Sequence, residues 1–244
     1  TALAADDFRP ARVGVIVACR LKSSRLKEKA LEPIHGIPSI QRCLSNCLAI
    51  QGVDEVVLAT SDLPDDDRLE EQVLDRSVTF WRGDAEDVIA RYLGACEKYD
   101  IDIIVRVTAD CPVVSSDIAA LLLASHFKAG ADYTCARDCA VGTSVEIYNR
   151  KALQRVIEYK GGAPHSEYMT WYMQNNDDIF KVNRVDLPPS LVRPYRLTLD
   201  YAEDLEMFHR LFETLDAQGL EPTAENIFTV MDNNPDIPRI NEHI

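Results

Sequence analysis

From Val13 to about Lys128 the chain alternates short apolar runs with longer amphipathic stretches. Val13–Ala18, Glu55–Ala59, Val78–Phe80 and Ile103–Val107 read as strands. Pro38 suits the first turn of a helix, and Ile40, Leu44, Cys47 and Leu48 follow it at helical spacing. Asp65–Leu74 reads as a charged helix, Ala85–Tyr99 as a helix with Val88, Tyr92, Leu93 and Cys96 on one face, and Asp117–Lys128 as a fourth. Apolar strands separated by helices of this length form a mainly parallel sheet covered on both faces. Ligands in such sheets sit beyond the carboxyl ends of the strands. Three segments fall on that edge: the loop after the first strand, Thr60-Ser61 after the second, and Thr108 to Pro112 after the fourth.

Beyond Gly130 the pattern becomes mixed. Strands are expected at Tyr133–Ala136, Ser144–Tyr148, Phe180–Arg184 and Tyr195–Leu197, and helices at Lys151–Tyr159, Pro164–Asn175, Ala202–Leu215 and Thr223–Met231. With no internal repeat and no flexible linker, residues 13–244 read as one α/β domain behind a flexible tail at 1–12. Residues from about 130 to 195 form its small mixed extension, expected to supply an acceptor site and a dimer interface.

A formal net charge of −14 argues against nucleic acid or an anionic membrane as partner. No window approaches the ~20 apolar residues of a membrane span. The start, Thr1-Ala-Leu-Ala-Ala-Asp-Asp, lacks a signal-peptide layout, so a cytoplasmic setting is expected. Seven cysteines, an odd count mostly within apolar runs, suit reduced thiols. Cys43 and Cys47, at helical spacing, read as core thiols rather than zinc ligands.

Against this acidic background, Arg20, Lys22, Arg25, Lys27 and Lys29 crowd one loop. A cationic, Ser-containing loop at a strand end suits a polyphosphate, whose oxygens it neutralises and cradles; a solvated surface turn is the alternative. Neither G-x-x-x-x-G-K-[ST] nor G-x-G-x-x-G occurs, so a nucleotide must be held mostly by side chains. Asp110, just past a strand on the same edge, suits Mg²⁺, which takes one or two carboxylates plus phosphate oxygens. It equally suits a turn before Pro112. Asp200 has the same two readings, as a metal carboxylate or a helix cap.

In order and spacing these segments resemble the cytidylyltransferases that make CMP-activated acidic sugars: the 3-deoxy-manno-octulosonate, acylneuraminate and spore-coat polysaccharide types. The family's first strand is followed by Ala-Arg-x-x-Ser-x-Arg-Leu-Pro-Gly-Lys. Arg20, Ser23, Arg25, Leu26 and Lys29 match it. Ala18 stands one place early, and Lys27-Glu28 replace Pro-Gly. Val57–Ser61, Phe80–Tyr92 and Val105–Pro112 match further, and the later Val145–Tyr148, His165–Glu167 and Leu197–Leu205 fit the spore-coat branch best.

The resemblance implies a Rossmann-like fold of the nucleotide-diphospho-sugar transferase type. It also implies CTP as donor, Mg²⁺ as cofactor, an acidic sugar as acceptor and a homodimer. Carried over by position, Ala18, Arg20, Ser23, Arg25 and Lys29 contact the triphosphate, and Thr60, Ser61, Arg82, Gly83 and Asp84 lie near the nucleoside or acceptor. Asp110 and Asp200 hold the metal, and Arg20, Arg25, Lys29 and Asp110 carry catalysis. Arg106, Glu146 and His165 serve the acceptor, although on the residues alone His165 also suits a helix start. The rival readings are a sugar-phosphate or phosphonate nucleotidyltransferase using another NTP, and a non-catalytic nucleotide-binding subunit.

Overall fold

The computed structural model describes residues 10–22, 25–74, 77–160 and 169–244. β1 (Val13–Ala18) leads into a basic loop and a small hairpin of β2 (Pro33–Ile34) and β3 (Ile37–Pro38). His35 and Gly36 both take positive φ, 46° and 80°, as a two-residue turn between twisted antiparallel strands requires. α1 (Ser39–Leu48), β4 (Glu55–Ser61), β5 (Thr79–Gly83), α2 (Val88–Tyr99), β6 (Ile103–Thr108) and α3 (Ser116–Ala129) complete the first half. In the second half come β7 (Tyr133–Ala136), β8 (Glu146–Asn149), α4 (Arg150–Lys160), α5 (Met169–Gln174) and β9 (Val182–Val185). They are followed by α6 (Ala202–Ala217), α7 (Ala224–Asn233) and α8 (Asp236–Arg239).

The seven-stranded sheet runs β5-β4-β1-β6-β8-β7-β9. All its pairings are parallel except those of β8, which is antiparallel to β6 and β7. β1, β4 and β6 bury most of their residues, so the sheet carries an apolar core on each face. One face holds Ile40, Leu44, Ile118 and Leu122 from α1 and α3; the other holds Ile89, Tyr92, Ala95 and Val156 from α2 and α4. A third cluster packs α6 and α7 around Ile34 of the hairpin and Leu197 and Leu199. The expected α/β fold with a mixed extension is what the chain adopts.

Details differ from the sequence pattern where local chemistry overrides period. Pro64–Gln72 is a 3-10 helix rather than the expected α-helix over Asp65–Leu74, with three aspartates in its first turn. The helix expected from Ala85 starts at Val88, because the Asp87 side chain accepts the Ala90 N–H as a cap. Tyr195–Leu197 is no strand; it makes one bridge, Val141 to Arg196. Gly142 makes the close approach beside that bridge possible: with φ 90°, a Cβ there would stand 2.0 Å from the Leu197 carbonyl oxygen. The helix expected over Pro164–Asn175 is described only as α5. All seven cysteines are free, and no group of three or more His, Cys, Asp or Glu among the described residues could hold a metal. No helix among the described residues is long and apolar enough to cross a membrane.

Candidate active site

At the carboxyl edge of β1 and β6 the chain leaves a cavity of about 440 Å³, lined by Ala18, Cys19, Arg20, Arg25, Lys29, Ala30, Val88, Arg91, Arg106, Thr108, Ala109 and Asp110. Pairing continues past the strand ends: Cys19 N–H donates to Ala59 O at 3.0 Å and Ala109 N–H to Ala18 O at 3.2 Å. The basic loop is anchored next by Asp66, which is 3% exposed. Its carboxylate accepts the Leu21 N–H at 2.7 Å and the Ser61 hydroxyl. The loop then turns at Glu28, whose φ is 51°. The resembling family has glycine at that position, and Glu28 takes the left-handed conformation a glycine adopts freely.

Lys29 emerges from this turn between two carboxylates. Its Nζ donates to Asp110 Oδ2 at 2.9 Å and Asp200 Oδ1 at 2.7 Å. Two further bonds bring these aspartates together: Leu199 N–H and the Thr198 hydroxyl both donate to the Asp110 carbonyl, at 2.8 and 3.1 Å. Asp200 is also bonded by Arg25 Nη2 at 3.1 Å and Arg196 Nη2 at 3.0 Å. Burial raises the Asp200 carboxyl, but the hydrogen bond and charge of Lys29, then Arg25 and Arg196, outweigh it and hold it below the usual carboxylate value. Burial lowers the Lys29 ammonium, yet Asp110 and Asp200 keep it above its ordinary value. Lys29 and Asp200 therefore favour each other's charged form.

Two other arginines shape the cavity. Arg20 Nη1 donates to Ala85 O and, at 3.4 Å, to Glu86. Arg91, 2% exposed, gives Nε and Nη2 to Asp84 O at 2.9 and 2.7 Å, and Nη2 to Ala85 O at 2.9 Å. The turn at 84–86 is thus clamped by a buried arginine that the sequence pattern did not single out. The signal available was a basic residue on the apolar face of α2, within one turn of Val88 and Tyr92.

Arg106 and Glu146 are register partners on β6 and β8. Arg106 Nη1 donates to Glu146 Oε2, which also accepts from Thr170 Oγ1 at 2.8 Å and Tyr148 OH at 3.2 Å. Glu146 Oε1 accepts from Tyr133 OH at 2.5 Å. A half-buried carboxylate with this many donors is held in one orientation. Burial disfavours the charged Arg106, but Tyr148, Tyr92 and Glu146 outweigh that and raise its pKa.

The remaining expected residues lie differently. Thr60 and Ser61 are wholly buried; the Ser61 hydroxyl belongs to Asp66, and Thr60 Oγ1 has no partner. Neither lines the cavity. Nor do Arg82, which pairs with Asp67, or Asp84, whose exposed carboxylate accepts the Glu86 and Asp87 N–H groups at 2.8 and 2.7 Å. Gly83 marks tight packing, since a Cβ there would stand 2.9 Å from Arg91 Cγ. Ser23 and His165 lie outside the described residues.

A family model described as cytidylyltransferase matches residues 14–223. The chain belongs to the cytidylyltransferase family. It is 27% identical over 227 residues to the spore coat polysaccharide biosynthesis protein SpsF of Bacillus subtilis, covering 91% of this chain and 94% of that one. It is 32% identical over 111 residues to 3-deoxy-manno-octulosonate cytidylyltransferase of Escherichia coli, covering 44% of each. Among solved structures, a cytidylyltransferase from Leptospira borgpetersenii superposes with TM-score 0.83 at 26% identity, covering 94% of this chain and 97% of that one. CMP:2-keto-3-deoxy-manno-octonic acid synthetase, solved with CTP, shares the fold with TM-score 0.65 at 19% identity, covering 86% of this chain and all of that one. The family resemblance carried by the motifs is therefore the family of the chain.

Proposed function

We propose that this cytidylyltransferase couples CTP to a hydroxyl of an acidic sugar, a 2-keto-3-deoxy acid of the octulosonic or nonulosonic kind. It releases pyrophosphate and works with Mg²⁺. The observation that carries the reading is the convergence of Asp110 and Asp200 on the ammonium of Lys29, at a cavity whose other charged lining is Arg20, Arg25, Arg91 and Arg106. Cations alone would suffice to bind a polyanion; the paired carboxylates suit a divalent cation shared with its phosphates. Mg²⁺ typically takes one or two protein carboxylates, with phosphate oxygens and water in its remaining positions. When bound, Mg²⁺ neutralises developing charge on the phosphates.

The chain's own residues then have simple work. Arg20, Arg25 and Lys29 neutralise the triphosphate, and Lys29 and Arg25 stabilise the departing pyrophosphate. Arg106, held by Glu146, borders the side where an acceptor enters and suits its carboxylate. The acceptor hydroxyl attacks the α-phosphorus in line, and its proton leaves to solvent. Such chemistry is chiefly positioning and electrostatics, which accounts for the lack of a nucleophile motif. The relatives named for spore-coat polysaccharide and octulosonate metabolism support a sugar acid for surface glycans as acceptor.

The test is pyrophosphate release with each of ATP, GTP, CTP and UTP, with Mg²⁺ or EDTA, against a panel of keto-sugar acids. Release confined to CTP, Mg²⁺ and one acid is the expected result. Release with another NTP and a sugar phosphate overturns the substrate assignment, and CTP binding without release under any pairing favours a non-catalytic role.

A further inference from the structure

Asp200 is not oriented by its neighbours alone; a residue near the chain's C-terminal end reaches it through two intermediaries. Asn241, 1% exposed, lies beyond the stretch that matches the family model. Its side-chain Nδ2 donates to the Arg196 carbonyl at 3.0 Å and to Asp204 Oδ1 at 2.8 Å. Asp204 is wholly buried in the first turn of α6. Its Oδ1 also accepts Arg196 Nε at 3.0 Å, and its Oδ2 accepts Arg196 Nη2 at 3.1 Å and the Asp200 and Tyr201 N–H groups at 2.8 and 3.0 Å. Arg196 Nη2 in turn holds Asp200 Oδ2 at 3.0 Å. One amide thus grips Arg196 at both ends, by its backbone oxygen and by the carboxylate that fixes its guanidinium.

We infer that Asn241 is a positioning residue for Asp200, setting the direction in which that carboxylate faces Lys29 and the divalent cation. The inference rests on the metal reading of Asp110 and Asp200 given above. Its physical basis is saturation. Both Nδ2 hydrogens are used, and the Asp204 carboxylate has a donor for each direction it presents. Without the amide, Asp204 Oδ1 keeps only Arg196 Nε and the Arg196 carbonyl loses its partner. The guanidinium then follows Asp204 and its shared Nη2 withdraws from Asp200. Residues that orient metal-binding carboxylates from behind typically change metal affinity by about 10–100-fold when replaced. Asn241 acts at one further remove, so about tenfold, the low end, is expected.

The experiment measures Mn²⁺ binding to the full chain with CTP by electron paramagnetic resonance, CTP binding in EDTA, and the Mg²⁺ KM beside kcat. It compares wild type with Asn241→Leu, which keeps the volume and removes both donors, and Asn241→His, which keeps one N–H donor. Thr223→Ala, which removes the side-chain cap of α7 and none of these hydrogen bonds, controls for lost stability. The expected result is a roughly tenfold weaker Mn²⁺ dissociation constant and higher Mg²⁺ KM for Asn241→Leu. CTP binding in EDTA stays unchanged, Asn241→His recovers in part, and Thr223→Ala matches wild type in metal binding. Unaltered Mn²⁺ binding in a folded Asn241→Leu overturns the positioning role. If Asn241→Leu does not fold, unaltered binding in Asn241→Asp, which sets a carboxylate against Asp204, overturns it equally. No Mn²⁺ binding by wild type with CTP overturns the metal reading instead.

Discussion

Lys29 Nζ stands 2.7 Å from Asp200 Oδ1 and completes the pair with Asp110 at 2.9 Å. The lysine comes from the loop after β1, Asp110 from the end of β6, and Asp200 from the segment entering α6. The three meet because the Asp110 carbonyl accepts from both Thr198 and Leu199. The site is therefore registered by backbone chemistry, and its side chains are free to carry charge.

Replacing Asp110 by Asn tests that division. The substitution leaves the Asp110 carbonyl, and so the bonds from Thr198 and Leu199, untouched. Melting temperature is expected to stay within a few degrees, while CTP- and Mg²⁺-dependent turnover falls at least about 100-fold, as when a preorganised electrostatic group is lost. Circular dichroism and pyrophosphate release on the same preparation check it. Turnover near wild type would remove Asp110 from the metal site.

His126 makes stability depend on pH. It is 2% exposed in the last turn of α3, with Nδ1 2.8 Å from Thr134 Oγ1. Burial pushes its pKa down to about 4, against a weaker upward pull from Asp132. The unfolded imidazole takes its proton near pH 6.5, whereas the folded one resists until about 4. The unfolded state thus binds more protons across that window, and stability falls as pH drops from about 6.5 to 4. Above the window the contribution is complete. Unfolding free energies of wild type and His126→Gln from urea titrations, followed from pH 7.5 to 4.5, should diverge by roughly 1–3 kcal/mol at the acid end. Parallel curves would mean that His126 is charged or solvated in the folded chain.

Much of the fold could be read from the sequence because burial on both faces leaves an unambiguous mark. Val13–Ala18 and Ile103–Val107 had to be central parallel strands. The bridge at Val141–Arg196 left no such mark: Tyr195–Leu197 alternates like a short half-buried strand, yet its partner is a loop. Within the site, Arg25, Lys29, Asp110 and Asp200 stand out through the family motifs they match, since charge at these places alone also suits a solvated turn or a helix cap. Arg91, Asp66, Asp204 and Asn241 do not, since each works from a buried position by bonding main-chain groups or other side chains of the fold. Thr60 and Ser61 show the opposite error: polar residues at a strand end suggest contact with a ligand, yet both face the interior.

Thr60 and Ser61 should accordingly separate under mutation. Ser61→Ala takes a donor from the buried Asp66, which costs about 1–3 kcal/mol. Thr60→Val removes a buried hydroxyl without a partner, so stability should hold or rise by under about 1 kcal/mol. The CTP KM of Thr60→Val is expected to match wild type. A tenfold increase would mean that its hydroxyl reaches the nucleotide.

Glu28 carries the strain of the basic loop. At φ 51° an L-residue with a Cβ is disfavoured by about 1–2 kcal/mol, which glycine avoids. The Glu28 carboxylate pairs with Arg68 at 2.9 Å, but both side chains are substantially exposed and the pair contributes little. Glycine also adds backbone entropy to the unfolded chain, an opposing effect of about 0.4–1 kcal/mol. Glu28→Gly should therefore leave stability equal or slightly higher and keep turnover. Glu28→Val, β-branched in the left-handed region, should lower stability by more than about 1 kcal/mol and weaken CTP binding by displacing Lys29. Denaturant midpoints and CTP titrations of the two variants decide it. Equal behaviour of Gly and Val would mean that the turn does not hold the loop in this conformation.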